Sequence, residues 1–232
     1  MNYNLYMVNT VGSLKVINKY WQKKWIEIKN SLSLTNEQRS VIVGSILGDG
    51  TLRLGERAIN VNLKIEHGLA QQEYVLWKYN ILRPWVFTEP KISYRYRENG
   101  ERYVKSLWFR TIRHPLLTGF YELFYKNGKK IIPLDIDQYL DSLGMAVWVM
   151  DDGSLNQNKI DISTYSFIEL EINLLLRVLD KKFGLNGNYY RDRDKGYRMY
   201  FNVKETEKLV EIIKPYIIDS MKYKITLKPR ND

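Results

Sequence analysis

The sequence predicts an α+β protein in which one unit occurs twice, and three observations predict it. An apolar run ending in Asp-Gly, then Thr or Ser, then Leu, appears as Val41–Leu52 and again as Met145–Leu155. The same order of helical and extended patterns follows each run. The chain has 232 residues, 44% of them apolar and 27% charged, which is ordinary globular composition and enough chain to bury a real core.

Residues 1–34 read as a partly ordered lead-in, helical over Leu14–Ile28, without the basic region and apolar core of a secretory signal. Thr35 and Gln38 form a capping-box pattern ahead of a buried helix over Val41–Leu47, and Gly50 stands where a C-cap glycine belongs. Alternating strands follow the two apolar runs, at Asn60–Glu66 and Lys159–Tyr165. Amphipathic helices come next, at Leu69–Leu82 and Phe167–Phe183. Each is followed by a hairpin. Lys91–Arg97 pairs with Leu107–Arg113 around Asn99–Gly100, and Asn188–Asp194 pairs with Tyr197–Val203 around Lys195–Gly196. Helices over His114–Tyr125 and Glu205–Tyr216 close the two units, each with a lysine-bearing tail. Pro133 stops the first, so the parts run 1–34, 35–134 and 135–232.

Composition removes several chemistries. There are no cysteines, which excludes disulfide frameworks, zinc fingers, iron–sulfur clusters and thiol nucleophiles. With two histidines, His67 and His114, a zinc hydrolase is disfavoured. No apolar run reaches the ~18–20 residues of a membrane span. Thirty-six Lys and Arg against 26 Asp and Glu leave a net charge of +10 and a pI near 9.5. Such a balance calls for a polyanionic partner, and nucleic acid ranks ahead of an anionic membrane. The 18 tyrosines and six tryptophans suit contacts to bases and sugars, or the core.

The Asp-Gly ends carry the candidate chemistry. Asp49 and Asp152 each follow an apolar helix, at the negative end of its macrodipole, where a carboxylate is unfavourable by roughly 0.3–1 kcal/mol. One such residue is read most simply as a turn aspartate. Two in the same context point to a bound hard cation, Mg²⁺ or Mn²⁺, held by oxygen ligands. Gly44 and Gly48, with Ser142 and Ala146, supply small stripes that let the two helices pack closely and bring the carboxylates together, or that merely fit a crowded core.

These paired motifs, Ile42–Gly50 and Met145–Gly153, resemble those of the LAGLIDADG homing endonucleases in their two-motif, single-chain form. Val147 stands where the family usually has a small residue. Met150–Gly153, Lys129–Pro133 and Met221–Lys224 are similar to the mitochondrial ribosomal-RNA intron type. The resemblance covers nearly all the chain after Thr35. It implies a pseudo-two-fold pair of αββαββα units, with two antiparallel sheets forming a saddle on double-stranded DNA. It also implies Asp49 and Asp152 as metal ligands, Gly48 and Asp151 contributing through their backbone carbonyls, and Lys130 and Lys224 lining the site. As residues alone, Lys129, Lys130, Lys222 and Lys224 read equally as solvated charges.

The extended segments carry the candidate DNA contacts. Arg53 and Lys64 lie near the first motif; Arg95, Arg97, Lys105 and Arg110 lie in or beside the first hairpin; Arg191, Arg193, Lys195 and Arg198 lie in or beside the second. Alternation puts Arg95 with Arg97, and Arg191 with Arg193, on one concave face, leaving Tyr94 and Tyr96 to the helix-packed face. Solvated strand faces are the plainer reading. Strands of about eight residues imply a site of about twenty base pairs. The expected activity is metal-dependent double-strand cleavage of such a site by a monomer. The alternatives are an RNA maturase acting on its own intron RNA and a DNA-binding regulator without catalysis. The expected location is an organelle if the gene lies in an intron, and otherwise a bacterial or archaeal cytoplasm; secretion and membranes are not expected.

Overall fold

The computed structural model describes residues 23–229, and the chain divides into two units, residues 1–34 and 35–232. In the first unit residues 23–31 are helical; the rest of the helix expected over Leu14–Ile28 lies outside the described residues.

The second unit opens with α1 (Asn36–Leu47), β1 (Thr51–Arg53), β2 (Asn62–Gly68), α2 (Gln72–Ile81), β3 (Lys91–Tyr96), β4 (Arg102–Arg110) and α3 (Pro115–Phe124). A two-residue-a-side hairpin, β5 (Tyr125–Lys126) and β6 (Lys129–Lys130), follows. Then come α4 (Ser142–Asp152), β7 (Gly153–Asn156), β8 (Lys159–Ser163), α5 (Glu169–Phe183), β9 (Asn188–Arg191), β10 (Tyr197–Phe201) and α6 (Val203–Ile213), and a 3-10 turn at Asp219–Lys224. The two large sheets are antiparallel and share one strand order, β1-β2-β4-β3 and β7-β8-β10-β9. The short strands β1, directly after Asp49–Gly50, and β7, which begins at Gly153, complete each set of four. The family resemblance implied them; three or four residues are too few to show a periodic pattern.

The centre is the α1–α4 pair. Thr35 Oγ1 accepts from the Gln38 amide at 3.1 Å and Gln38 Oε1 from the Thr35 amide at 3.2 Å, the predicted capping box. Asp141 caps α4 by accepting from the Gly144 amide at 2.7 Å. From Val41 to Leu47 every α1 residue is buried, because another apolar helix lies along it. A Cβ on Gly44 would sit 2.3 Å from the Gly144 carbonyl oxygen, and one on Gly48 would sit 2.4 Å from Asp151 Cβ. The two glycines are therefore at the interface as expected, but the facing stripe is not Ser142 and Ala146. It is Gly144, Val147 and Asp151, whose spacing follows one helix face.

The helices end differently. Gly48, whose ψ of −132° leaves the helix, caps α1 with its amide on Gly44 O, so the cap is not Gly50. The Gly50 amide bonds Ser45 O at 2.7 Å. By contrast α4 runs through Asp152 and Gly153 caps it.

Each sheet buries one face against helices, through Leu63, Ile65 and Phe109 in the first and Ile160, Ile162, Met199 and Phe201 in the second. Burial of these apolar chains fixes strand register, since a slip by one residue would turn them to water.

Candidate active site and nucleic-acid interface

Asp49 lies just past α1, with its side chain 49% exposed, and Asp152 lies in the last turn of α4. No hydrogen bond to either carboxylate forms among the described residues. Burial, and then the neighbouring Asp151 charge, push both upward in pKa, Asp152 to about 7. Two carboxylates that burial and a neighbouring charge push upward in pKa, on oxygen-rich helix ends, fit a hard divalent cation.

Two lysines complete the helix ends. Lys130, carried by β6, donates to the Gly48 carbonyl at 2.5 Å, and Lys224, at the end of the 3-10 turn, donates to the Met150 and Asp151 carbonyls. Gly48 and Asp151 stand one residue before Asp49 and Asp152, so the two lysines hold matching positions. Each cation sits at a helix C-terminus, where the dipole favours it. Burial lowers both ammonium pKa values and the three aspartates oppose it. Lys129 and Lys222 are exposed, the latter paired with Asp219 at 2.6 Å.

Asp151 does more than lend a carbonyl. Its Oδ2 accepts the Asp49 backbone amide at 3.1 Å, while Oδ1 accepts from Lys78 Nζ at 2.7 Å and from the Tyr74 hydroxyl at 2.8 Å. The Lys78 and Asp151 side chains are both 0% exposed. Burial would raise the Asp151 carboxyl, but Lys78 holds it ionised. His67 stands between the acids, with Nδ1 3.4 Å from Asp49 Oδ2 and Nε2 3.6 Å from Asp151 Oδ1. Burial lowers its pKa to about 4, so it is neutral near pH 7. Asp49, His67 and Asp151 each present a ligand atom within 4.8 Å of the others. The sequence reading missed Lys78, Tyr74 and His67. Lys78 carried a usable signal, since it falls in phase with Tyr74, Val75 and Leu82 on the buried face of α2.

The outer sheet faces hold most of the predicted basic residues. Thr51 pairs with Lys64, and Lys64 with Arg110, so these side chains share the face opposite Leu63 and Ile65. Arg53 belongs to the same face. Trp108 lies there too, with Lys64 and Lys91 over its ring at 5.3 and 6.0 Å. A cleft of about 300 Å³ runs from Asp49 past Arg53 and Lys64 to Lys105. Within it, Lys64 and Ser106 hold Glu66 at a pKa of about 2, against the upward push of burial.

In β3, Arg95 alternates with Lys91 and Ser93, and Arg97 follows in phase. Tyr94 and Tyr96 take the other face as expected, yet they are exposed, because the hairpin projects past the helices; Arg102 packs over Tyr94 at 3.5 Å. A register shift at Ser93/Tyr94 leaves Lys105 unpaired on the outer side.

The second hairpin departs from expectation. Arg191 pairs with Tyr197, in phase with the buried Met199 and Phe201, so it does not share the outer face. Arg193 has φ 50° in a 3-10 turn with Lys195, which ends the alternation and shortens the strands. Arg198 does lie on the outer face, donating to Ser163 Oγ, the Tyr165 hydroxyl and Ser154 Oγ at 2.9–3.1 Å.

The family model described as "LAGLIDADG DNA endonuclease family" matches residues 39–209, most of the chain. The chain belongs to that family. It is 30% identical to DNA endonuclease I-ChuI of Chlamydomonas applanata, over 84% of this chain and 97% of that protein. It is 29% identical to cytochrome b mRNA maturase bI2 of Debaryomyces hansenii, over 95% and 86%. Among solved structures it is similar to the homing endonuclease I-WcaI bound to its DNA recognition sequence, with a TM-score of 0.80, 25% identity, and coverage of 88% of this chain and 92% of that one.

Proposed function

We propose that this LAGLIDADG protein is a homing endonuclease that cuts both strands of a long DNA site, with Mg²⁺ or Mn²⁺ held by Asp49 and Asp152. The observation that carries this reading is the pair of desolvated carboxylates at adjacent helix ends, each with a lysine on the matching backbone carbonyl. A divalent ion bound there polarises a phosphoryl oxygen and acidifies a water. Asp49 and Asp152 would hold the divalent ions, each carboxylate serving the cut of one strand. Lys130 and Lys224, fixed by their carbonyl contacts, keep positive charge beside the position where phosphate oxygens gain charge. The outer faces, through Arg53, Lys64, Arg95, Arg97, Lys105, Arg110 and Arg198, grip about twenty base pairs as a monomer, with Arg193 and Lys195 at the hairpin tip.

Selecting cleaved sites from a randomised DNA library with Mg²⁺ tests the proposal: one enriched site of about twenty base pairs is expected, and no enrichment would refute it. Similarity to a protein named as an mRNA maturase favours a second reading, in which the same chain assists splicing of its own intron RNA. An intron-borne gene in an organelle genome fits both. Among the described residues no helix is long and apolar enough to cross a membrane.

A further inference from the structure

Matching the two halves through their sheets exposes an uneven pair of positions. Thr51 faces Lys64 across β1–β2, and Ser154 faces Asp161 across β7–β8. α2 begins at Gln72 and α5 at Glu169, at the same spacing from Lys64 and from Asp161. Lys78 of the first half therefore corresponds to Leu175 of the second, and both are fully buried. Asp151 corresponds to Gly48. The first half thus has glycine and a buried ammonium where the second has a buried carboxylate and leucine, and the carboxylate and the ammonium meet across the interface at 2.7 Å.

The two catalytic carboxylates depend differently on this pair. Asp152 is carried by the α4 ladder itself, since the helix continues through it and Gly153 caps on Val149 O. Asp49 lies beyond the end of α1, and its backbone amide bonds across the helix pair to Asp151 Oδ2. Lys78 and Tyr74 hold that carboxylate from the other oxygen. A buried charge pair is weak evidence for stability, because apolar replacements are often neutral. Its geometry is better suited to fixing a position.

We infer that Asp151 and Lys78 are positioning residues that lock Asp49, and hence the cutting of one DNA strand only, from across the pseudo-symmetric interface. The inference rests on the nuclease reading above. Asp49 is set by a carboxylate of the second half and Asp152 by its own helix. A misplacement on the order of 1 Å at a reacting group can cost up to about 100-fold in rate, so the two strands respond unequally when the lock is removed.

The test uses a supercoiled plasmid carrying the selected site, with each strand labelled and single-turnover rates measured. Asp49→Asn first identifies the strand that relies on Asp49. The double variant Lys78→Leu/Asp151→Gly gives the pair the residues of their symmetry mates and leaves no lone buried charge. It is expected to cut the Asp49-dependent strand about 10- to 100-fold more slowly, the other strand within about threefold, and to accumulate nicked circles. The second variant, Lys78→Met/Asp151→Asn, also lacks the charges but keeps a side-chain oxygen for the Asp49 amide. It is expected to restore near-equal strand rates. Equal slowing of both strands by the first variant, no slowing of either, or equal bias in both variants would overturn the inference. Wild-type protein that cuts no selected site would instead refute the nuclease reading.

Discussion

The two helix ends at the centre carry the same motif and solve different problems. In the first half the helix stops at Leu47, glycine caps it, and Asp49 is half exposed beside His67. In the second the helix runs on through Asp152, whose carboxyl burial drives to about 7. Lys130 and Lys224 nevertheless hold matching carbonyls. Repetition has kept the placement of charge around the centre, while Asp152 is carried by its own helix and Asp49 bonds through its amide to a carboxylate of the other half. A duplicated fold fused in one chain permits this divergence, because each position can change without changing its mate.

The largest effects should come from the carboxylates. Asp49→Asn or Asp152→Asn should abolish double-strand cleavage while leaving binding of the selected site within a few-fold, measured by gel shift in Ca²⁺, which binds oxygen ligands without the strict octahedral demand of Mg²⁺. Full cleavage by either variant in Mg²⁺ would break the metal-ligand assignment. It would also remove the sense in which the halves are equivalent.

The lysines sharpen the comparison. Lys130→Met and Lys224→Met should each slow single-turnover cleavage by one or more orders of magnitude, since one oriented donor at a developing oxyanion is worth roughly 2.7–4 kcal/mol. Lys224→Met should in addition lower the melting temperature, because it strips the Met150 and Asp151 carbonyls of a buried donor. Lys129→Met and Lys222→Met, both on exposed chains, should change the rate only a few-fold. Equal effects across the four would indicate general attraction for DNA.

The pH dependence separates Asp152 from His67 by the sign of their shifts. Asp152 moves from an ordinary carboxyl pKa of 3.8 in the unfolded chain to about 7 in the folded one. The folded state therefore holds more protons between those values, and metal-free stability falls as pH rises through that window. His67 acts the other way, its pKa falling from 6.5 to about 4, so the folded state gains stability as pH rises between those values. The difference between wild type and Asp152→Asn isolates the carboxyl. The variant's melting temperature in chelator should rise relative to wild type by several degrees from pH 5 to pH 8, and a flat difference would contradict the shift.

Much of this was legible in the residues. The paired Asp-Gly ends, the capping box at Thr35 and the positions of the long amphipathic helices follow from local chemistry and periodicity. The register of the helix interface was not, because Gly44 and Gly48 can face either Ser142 and Ala146 or Gly144 and Val147, and only packing chooses. Nor was the buried pair: a lysine in phase with an apolar helix face becomes interpretable once Asp151 is known to stand opposite. Arg191 takes its face from the β9–β10 register, and the alternation meant to bring Arg193 to the same face ends at the left-handed Arg193, which no non-glycine residue advertises in sequence.

The smallest expected effect tests that failure directly. Arg95 shares the outer face of its sheet with Lys91 and Ser93, whereas Arg191 lies in phase with buried Met199. If the outer faces read DNA, Arg95→Ala should relax specificity at one or two positions of a single half-site, by about 1–3 kcal/mol. Arg191→Ala should leave the specificity profile unchanged and at most lower affinity evenly across sequences, with the salt slope reduced by about one unit. Arg198→Ala, on the outer face of the second sheet, should relax the opposite half-site. Profiling cleavage of a site library by the three variants distinguishes these outcomes. Relaxation by Arg191→Ala comparable to that of Arg198→Ala would mean that the hairpin tip bends its inner face onto the DNA. Relaxation of the same half-site by Arg95→Ala and Arg198→Ala would break the assignment of one sheet to each half of the target.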